Sequence, residues 1–218
     1  TPINAIIGFS EVISHQYLGE IEQEKYVEYA HDIENSGRYL LELINDILDL
    51  SKIEAGRYTL NRSHLDMGAI IDTSISLLRQ RAVDKGVILE AIEKDEQLHL
   101  WADARSVKQI LLNIMGNALK FTPSGGKITV TSCTKGDHAE ISVLDTGPGI
   151  PENQVKKLMQ PYVTAHDESD ITEDSTGLGL SITKSLVSMH GGQMEILSEE
   201  GRGTEVVIRL PIDNIENA

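Results

Sequence analysis

The sequence predicts an α+β chain: an N-terminal helical hairpin followed by an α/β sandwich, in which a mixed sheet is covered by helices. Three observations carry this. Apolar residues recur at helical spacing up to residue 56, and beyond it short apolar runs alternate irregularly with helical stretches. Glycine-centred turns at Lys135-Gly136-Asp137 and Glu200-Gly201 mark hairpins between consecutive runs. At 218 residues there is room for one large domain or two modest ones.

The hairpin comes first. Between Tyr26 and Leu50 one heptad series runs Tyr26, Ile33, Leu40, Ile47 and a second runs Tyr29, Ser36, Leu43, Leu50. Ala30, Gly37, Leu41, Ile44 and Leu48 widen the stripe beyond what a single partner helix covers. A shorter helix containing Ile3, Ile6, Ile7, Val12 and Ile13 precedes it, and the chain turns near Gly19-Glu20. Two helices are too thin to bury such a face, so a homodimer through residues 1–56 is expected, its two hairpins forming a four-helix bundle.

After Glu54-Ala55-Gly56 the period changes, dividing the chain into residues 1–56 and 57–218. Strands are expected at His64-Leu65, Val87 to Ile92, Leu98 to Trp101, Lys127 to Ser132, Glu140 to Leu144, Gln193 to Leu197 and Thr204 to Leu210. Helices are expected at about 67 to 84, 103 to 121 and 177 to 190. Between about 160 and 176 lies a polar stretch in which five of the nine residues from His166 to Asp174 are acidic. A loop of that length inside a compact domain is either functional or disordered.

Charge narrows the function. With 19 Lys and Arg against 34 Asp and Glu, the formal net charge is −15. Such a surface repels phosphate backbones and anionic lipid, which excludes nucleic-acid or membrane-surface binding as the main task. A bound polyanion then needs a metal ion or a local cationic pocket. Cys133 is the one cysteine, so there is no internal disulfide; a buried structural thiol and a reducing, cytoplasmic compartment are expected. No apolar run reaches the length of a membrane span, so direct membrane contact from this segment is not expected. The opening Thr1-Pro2 carries no initiator Met, and the chain is expected to begin inside a longer protein, one that a membrane anchor elsewhere could hold.

Four motifs bear chemistry. Asn113 and Asn117 stand one helical turn apart, with Lys120 three residues on, placing two carboxamides and an ammonium on one face. Carboxamide oxygens ligate Mg²⁺ without adding charge and Lys120 can neutralise a phosphate oxygen; a solvated polar face is the alternative. Asp145-Thr146-Gly147-Pro148-Gly149 comes after an apolar strand, where a carboxylate can accept a hydrogen bond from an exocyclic amine and glycines let a planar ring approach. That favours adenine over guanine, whose carbonyl would leave the carboxylate unpaired, although the same pattern also makes an ordinary turn. Ser175-Thr176-Gly177-Leu178-Gly179 leads into an amphipathic helix whose N-terminus can bind phosphate or simply begin a helix. Gly201-Arg202-Gly203-Thr204 by itself is little more than a hairpin.

In this order and at these intervals the four resemble the N, G1, G2 and G3 boxes of the ATP-binding domain of sensor histidine kinases, which share a Bergerat (GHKL-like) fold with gyrase, Hsp90 and MutL. Thr1-Pro2-Ile3-Asn4-Ala5-Ile6-Ile7-Gly8-Phe9 resembles the end of an H box, and Asn45 to Gly56 the end of the second helix of the dimerisation and histidine-phosphotransfer domain. Within the family the chain is most similar to alphaproteobacterial cell-cycle kinases of the PleC and DivJ kind.

The resemblance implies that ATP and Mg²⁺ are the cofactors. Asp145 would read adenine, with Gly147, Gly149 and Thr204 nearby. Asn113 and Asn117 would face Mg²⁺ and the phosphates beside Lys120, and Gly177 and Gly179 would meet the phosphates. Relatives that hydrolyse ATP carry a Glu where this chain has Asn113, so kinase chemistry is expected over hydrolysis. The family's phospho-acceptor His precedes the Thr by four residues, ahead of Thr1, and His15, His31 and His64 do not occupy that position. These 218 residues alone are therefore not expected to autophosphorylate. Thr1 matches the Thr associated with dephosphorylating a response-regulator receiver domain, the expected partner. Met159-Gln160-Pro161-Tyr162 departs from the usual F-E-P-F, and Ser175 replaces the first G2 glycine, both in the lid. A degenerate kinase serving as a receiver-docking scaffold is the alternative reading.

Overall fold

The structure is a computed structural model and describes residues 2–15, 17, 23–93, 98–152, 154–155 and 177–212. Thr1, the turn at Gly19-Glu20 and the lid segment 160–176 lie outside the described residues.

An antiparallel pair of helices opens the chain, α1 (Pro2–His15) and α2 (Gln23–Glu54). They pack on each other through part of the predicted stripe and Phe9: Phe9 stacks on Tyr29 with ring centroids 5.5 Å apart, and an added side-chain carbon at Gly37 would sit 4.0 Å from Ile6 Cδ1. Much of the stripe stays in solvent. Ile3, Ile7, Val27, Leu41, Ile44 and Leu48 are exposed, and Ile47, placed inward by the heptad count, is 39% exposed. Only at its end does α2 become buried, at Asp49 and Leu50, where Asp49 Oδ2 accepts a hydrogen bond from Gln109 at 3.3 Å.

The second part of the chain comprises strand β1 (Ser63–Asp66), helix α3 (Met67–Lys85), strands β2 (Ile88–Glu93) and β3 (His99–Ala102), helix α4 (Ala104–Phe121), strands β4 (Lys127–Lys135) and β5 (His138–Asp145), helix α5 (Gly179–Met189), and strands β6 (Gln193–Glu199) and β7 (Gly203–Pro211). Five strands form one mixed sheet in the order β2-β4-β5-β7-β6, in which β2 and β4 run parallel and the other pairs antiparallel. In β4, Ile128, Val130 and Ser132 are buried while the residues between them are not. This alternation turns one face toward α3, α4 and α5, whose buried residues include Ile71, Ile114 and Ile182. Cys133 falls on the other face and is half-buried, short of the buried structural thiol the sequence predicts. The two runs expected as strands at His64-Leu65 and Leu98 to Trp101 do not join this sheet; they pair with each other as β1 and β3.

Helix α4 is the spine of this unit. Val107, Ile110, Leu111, Ile114, Met115, Ala118 and Leu119 repeat at three and four residues and are all buried. Asp103 caps its N-terminus: Oδ1 accepts from Ser106 N–H at 2.8 Å and Oδ2 from Asn61 N–H at 2.6 Å. Burial would raise the Asp103 carboxyl, but these donors outweigh it and hold the group below the ordinary carboxylate range. The Asp103 N–H donates to His190 Nε2 at 3.1 Å, and His190 Nδ1 reaches Leu186 O at 2.8 Å. One ring nitrogen accepts and the other donates, so His190 is neutral; burial lowers its pKa in the same sense. This network ties the linker after α2 to the start of α4 and the end of α5.

Candidate functional site

Asp145 ends β5 and is buried. Its Oδ1 accepts from Gly147 N–H at 2.8 Å and Thr204 N–H at 3.2 Å, while Oδ2 has no hydrogen bond among the described residues. Burial pushes this carboxyl up, partly opposed by the two N–H donors. The result is a carboxylate held rigidly by one oxygen with the other open to accept from a ligand.

The turn around it is built by backbone contact. Gly149 has φ +71°, and an added Cβ would lie 2.0 Å from Glu199 O; at Gly203, φ +97°, it would lie 2.0 Å from Asp145 O. Gly201 N–H donates to Pro148 O at 2.6 Å. The 145–151 turn and the β6–β7 hairpin thus meet main chain to main chain, which only glycine permits at these points. The sequence assigns Gly149 to the approach of a ligand ring; in the fold it seats the hairpin that brings Thr204 to Asp145.

Sequence reasoning missed Ser198. Its Oγ accepts from Ile150 N–H at 2.8 Å, donates to Gly203 O at 3.0 Å and stands 2.8 Å from Thr204 Oγ1, which donates to it. The signal is its position directly opposite Thr204 across the hairpin, readable only once the register is known.

Asn113 and Asn117 lie half-buried on α4. Asn113 Nδ2 donates to Gly179 O at 3.2 Å and Thr183 Oγ1 at 3.4 Å, fixing the first turn of α5 against α4. Its Oδ1 and the Asn117 side chain make no hydrogen bond among the described residues. Thr183, one turn beyond Gly179 and fully buried, is a second residue that sequence reasoning missed. Helix α5 has no side-chain cap at its N-terminus, and Gly177 just before it has φ +66°. Lys120 Nζ is buried and lies 5.7 Å from the centre of the Phe121 ring. Lys85 Nζ binds the carbonyls of Leu119 and Lys120 at 2.8 and 2.5 Å, placing a cation at the negative end of α4.

The pieces converge on α4. Its last residue meets the Asp145 turn, with Phe121 O 3.3 Å from where a Gly147 Cβ would be, and Asn113 meets α5. Carboxylate, carboxamides and an uncapped helix start are therefore strung along one side of a single helix. Two amide oxygens without a cluster of His, Cys, Asp or Glu among the described residues suit a Mg²⁺ that keeps phosphate and water ligands. Among sequence-predicted site residues only Thr1 lies outside the described residues.

Residues 102–214 match the family model described as histidine kinase-, DNA gyrase B- and HSP90-like ATPase, and residues 1–56 match the His kinase A (phospho-acceptor) domain. The chain belongs to the histidine kinase family. Histidine protein kinase DivJ of Caulobacter vibrioides is 43% identical over 212 residues, covering 97% of this chain and 35% of that protein. The non-motile and phage-resistance protein of the same organism is 41% identical over 97% of this chain and 26% of its own length. The chain thus spans about a third or less of these relatives. Among solved structures, full-length ShkA in complex with AMPPNP is similar, with a TM-score of 0.76 and 27% identity over 97% of this chain and 43% of that one. Among the described residues no helix is long and apolar enough to cross a membrane.

Proposed function

We propose that the chain is the catalytic and phosphotransfer core of a two-component sensor histidine kinase. Residues 57–218 form the ATP-binding domain and residues 1–56 the dimerisation and phosphotransfer domain. The observation that carries this is Asp145: a buried carboxylate with one oxygen locked by two N–H groups and the other open, at the end of α4 that bears Lys120.

The open Oδ2 accepts from the exocyclic amine of adenine. Asn113 and Asn117 would hold Mg²⁺ through their amide oxygens; bound there, the ion would neutralise charge on the phosphates. Gly177 and Gly179 present the N–H groups of the α5 start to phosphate oxygens, and Lys120 supplies a fixed positive charge. Asn113 cannot act as a general base: it is an amide, and its nitrogen is spent holding α5. That disfavours water activation and favours transfer to an imidazole. The acceptor would be a His ahead of Thr1, from which the phosphoryl group would pass to an Asp of a response-regulator receiver. Thr1 would serve the opposing activity, hydrolysis of the receiver's aspartyl phosphate, in which water takes the phosphoryl group and the Asp carboxylate is released.

Titration with ATP and GTP, with and without Mg²⁺, tests the assignment. ATP is expected to bind more tightly than GTP, and Asp145→Asn to weaken ATP by about 100-fold, since an amide N–H₂ then faces the adenine amine. Asn117→Ala is expected to remove the Mg²⁺ dependence. ATP affinity unchanged in both variants would remove the pocket.

A further inference from the structure

A second opening lies at the other end of α4. A cavity of about 510 Å³ forms where the end of α2 meets the start of α4, with Asp49, Lys52, Arg57, Tyr58, Asp103 and Arg105 among its walls. Its two carboxylates are engaged. Asp49 accepts from Gln109 and stands 3.9 Å from Lys52 Nζ, and Asp103 accepts from the backbone of Asn61 and Ser106. The guanidinium groups of Arg57 and Arg105 make no ion pair or side-chain hydrogen bond among the described residues. In a chain of net charge −15, this lining sets three cationic side chains against two carboxylates, and the two arginines keep unused donors.

Its size suits a small organic molecule, as ligand pockets run from roughly 300 to 1,000 Å³. Two guanidinium forks match the paired oxygens of phosphate. Ala104 and Asn117 are 13 residues apart on α4, roughly 20 Å at 1.5 Å per residue, so this opening is separate from the site around Asp145.

We propose that this junction binds a small phosphate-bearing anion. Lys52 belongs to the hairpin whereas Arg57 and Arg105 lie beyond it, so a ligand held by all three bridges the two parts and favours their docked arrangement. The proposal goes beyond the kinase reading and stands if that reading falls.

Pyrophosphate is the probe. Calorimetric titration of the 218-residue chain in magnesium-free, low-chloride buffer is expected to show one saturable site. Arg57→Gln/Arg105→Gln should weaken it at least tenfold, and Lys52→Gln severalfold, with ATP affinity unchanged within twofold. Amide shifts on titrating the unaltered chain should centre on residues 57–63 and 103–106, which locates the site without any variant. Unchanged pyrophosphate affinity in the double variant, loss of binding in Asn117→Ala, or citrate binding as tightly as pyrophosphate would each overturn the proposal.

Discussion

Asp145 is held where ionisation is costly. Its folded pKa is raised by burial, so the unfolded chain releases the proton more readily. The penalty is absent below the unfolded pKa and develops as pH rises through the folded one. At neutral pH Asp145→Asn should therefore raise the melting temperature while it abolishes tight nucleotide binding, and the stability gain should vanish at low pH. Thermal melts at pH 7 and pH 3 check this; a lower melting temperature at pH 7 would contradict it. His190 has the opposite sign of dependence. It is neutral in the fold with a lowered pKa, so the unfolded state takes up the proton first as pH falls. Its contribution is whole above the ordinary His value of about 6.5 and is lost as pH falls from there through the lowered folded value. Denaturant titrations between pH 7 and 5 should show stability falling on acidification, with a shallower slope in His190→Gln.

Helix α4 shows what is legible in the sequence and what is not. Its bounds, its apolar face and its Asn113–Asn117 face come from local spacing, because a helix fixes which residues share a side. Strands β4 to β7 are equally readable from alternation and the two glycine turns. Pairing is not. Nothing local distinguishes β1 and β3, which leave the main sheet, from runs that stay in it, and the Asp103–His190 contact joins residues 87 positions apart. That Gly149 seats the β6–β7 hairpin is not legible either, because a close backbone neighbour cannot be seen in one stretch of chain. The hairpin of α1 and α2 makes a prediction of its own. Its exposed Leu41, Ile44 and Leu48 supply the apolar area a bundle would bury, at roughly 1.5–3 kcal/mol for each side chain fully covered. Leu41→Glu/Ile44→Glu should convert a dimer to monomer in sedimentation, and dimers unaffected by the change would place the interface elsewhere.

In the whole molecule α4 joins three tasks. Its start grips the linker from the hairpin, its middle holds α5, and its end abuts the turn that carries Asp145. The hairpin linker and the proposed nucleotide site thus both contact one helix. A nucleotide site there requires that the carboxylate, the amides and the start of α5 serve one ligand. Monitoring backbone amide signals during titration with a non-hydrolysable ATP analogue and Mg²⁺ tests it most directly. Gly147, Gly149, Thr204, Asn117 and Gly179 should shift together with one saturation curve. Shifts confined to one group, leaving Asp145's turn or the Asn117 face unmoved, would contradict a shared pocket.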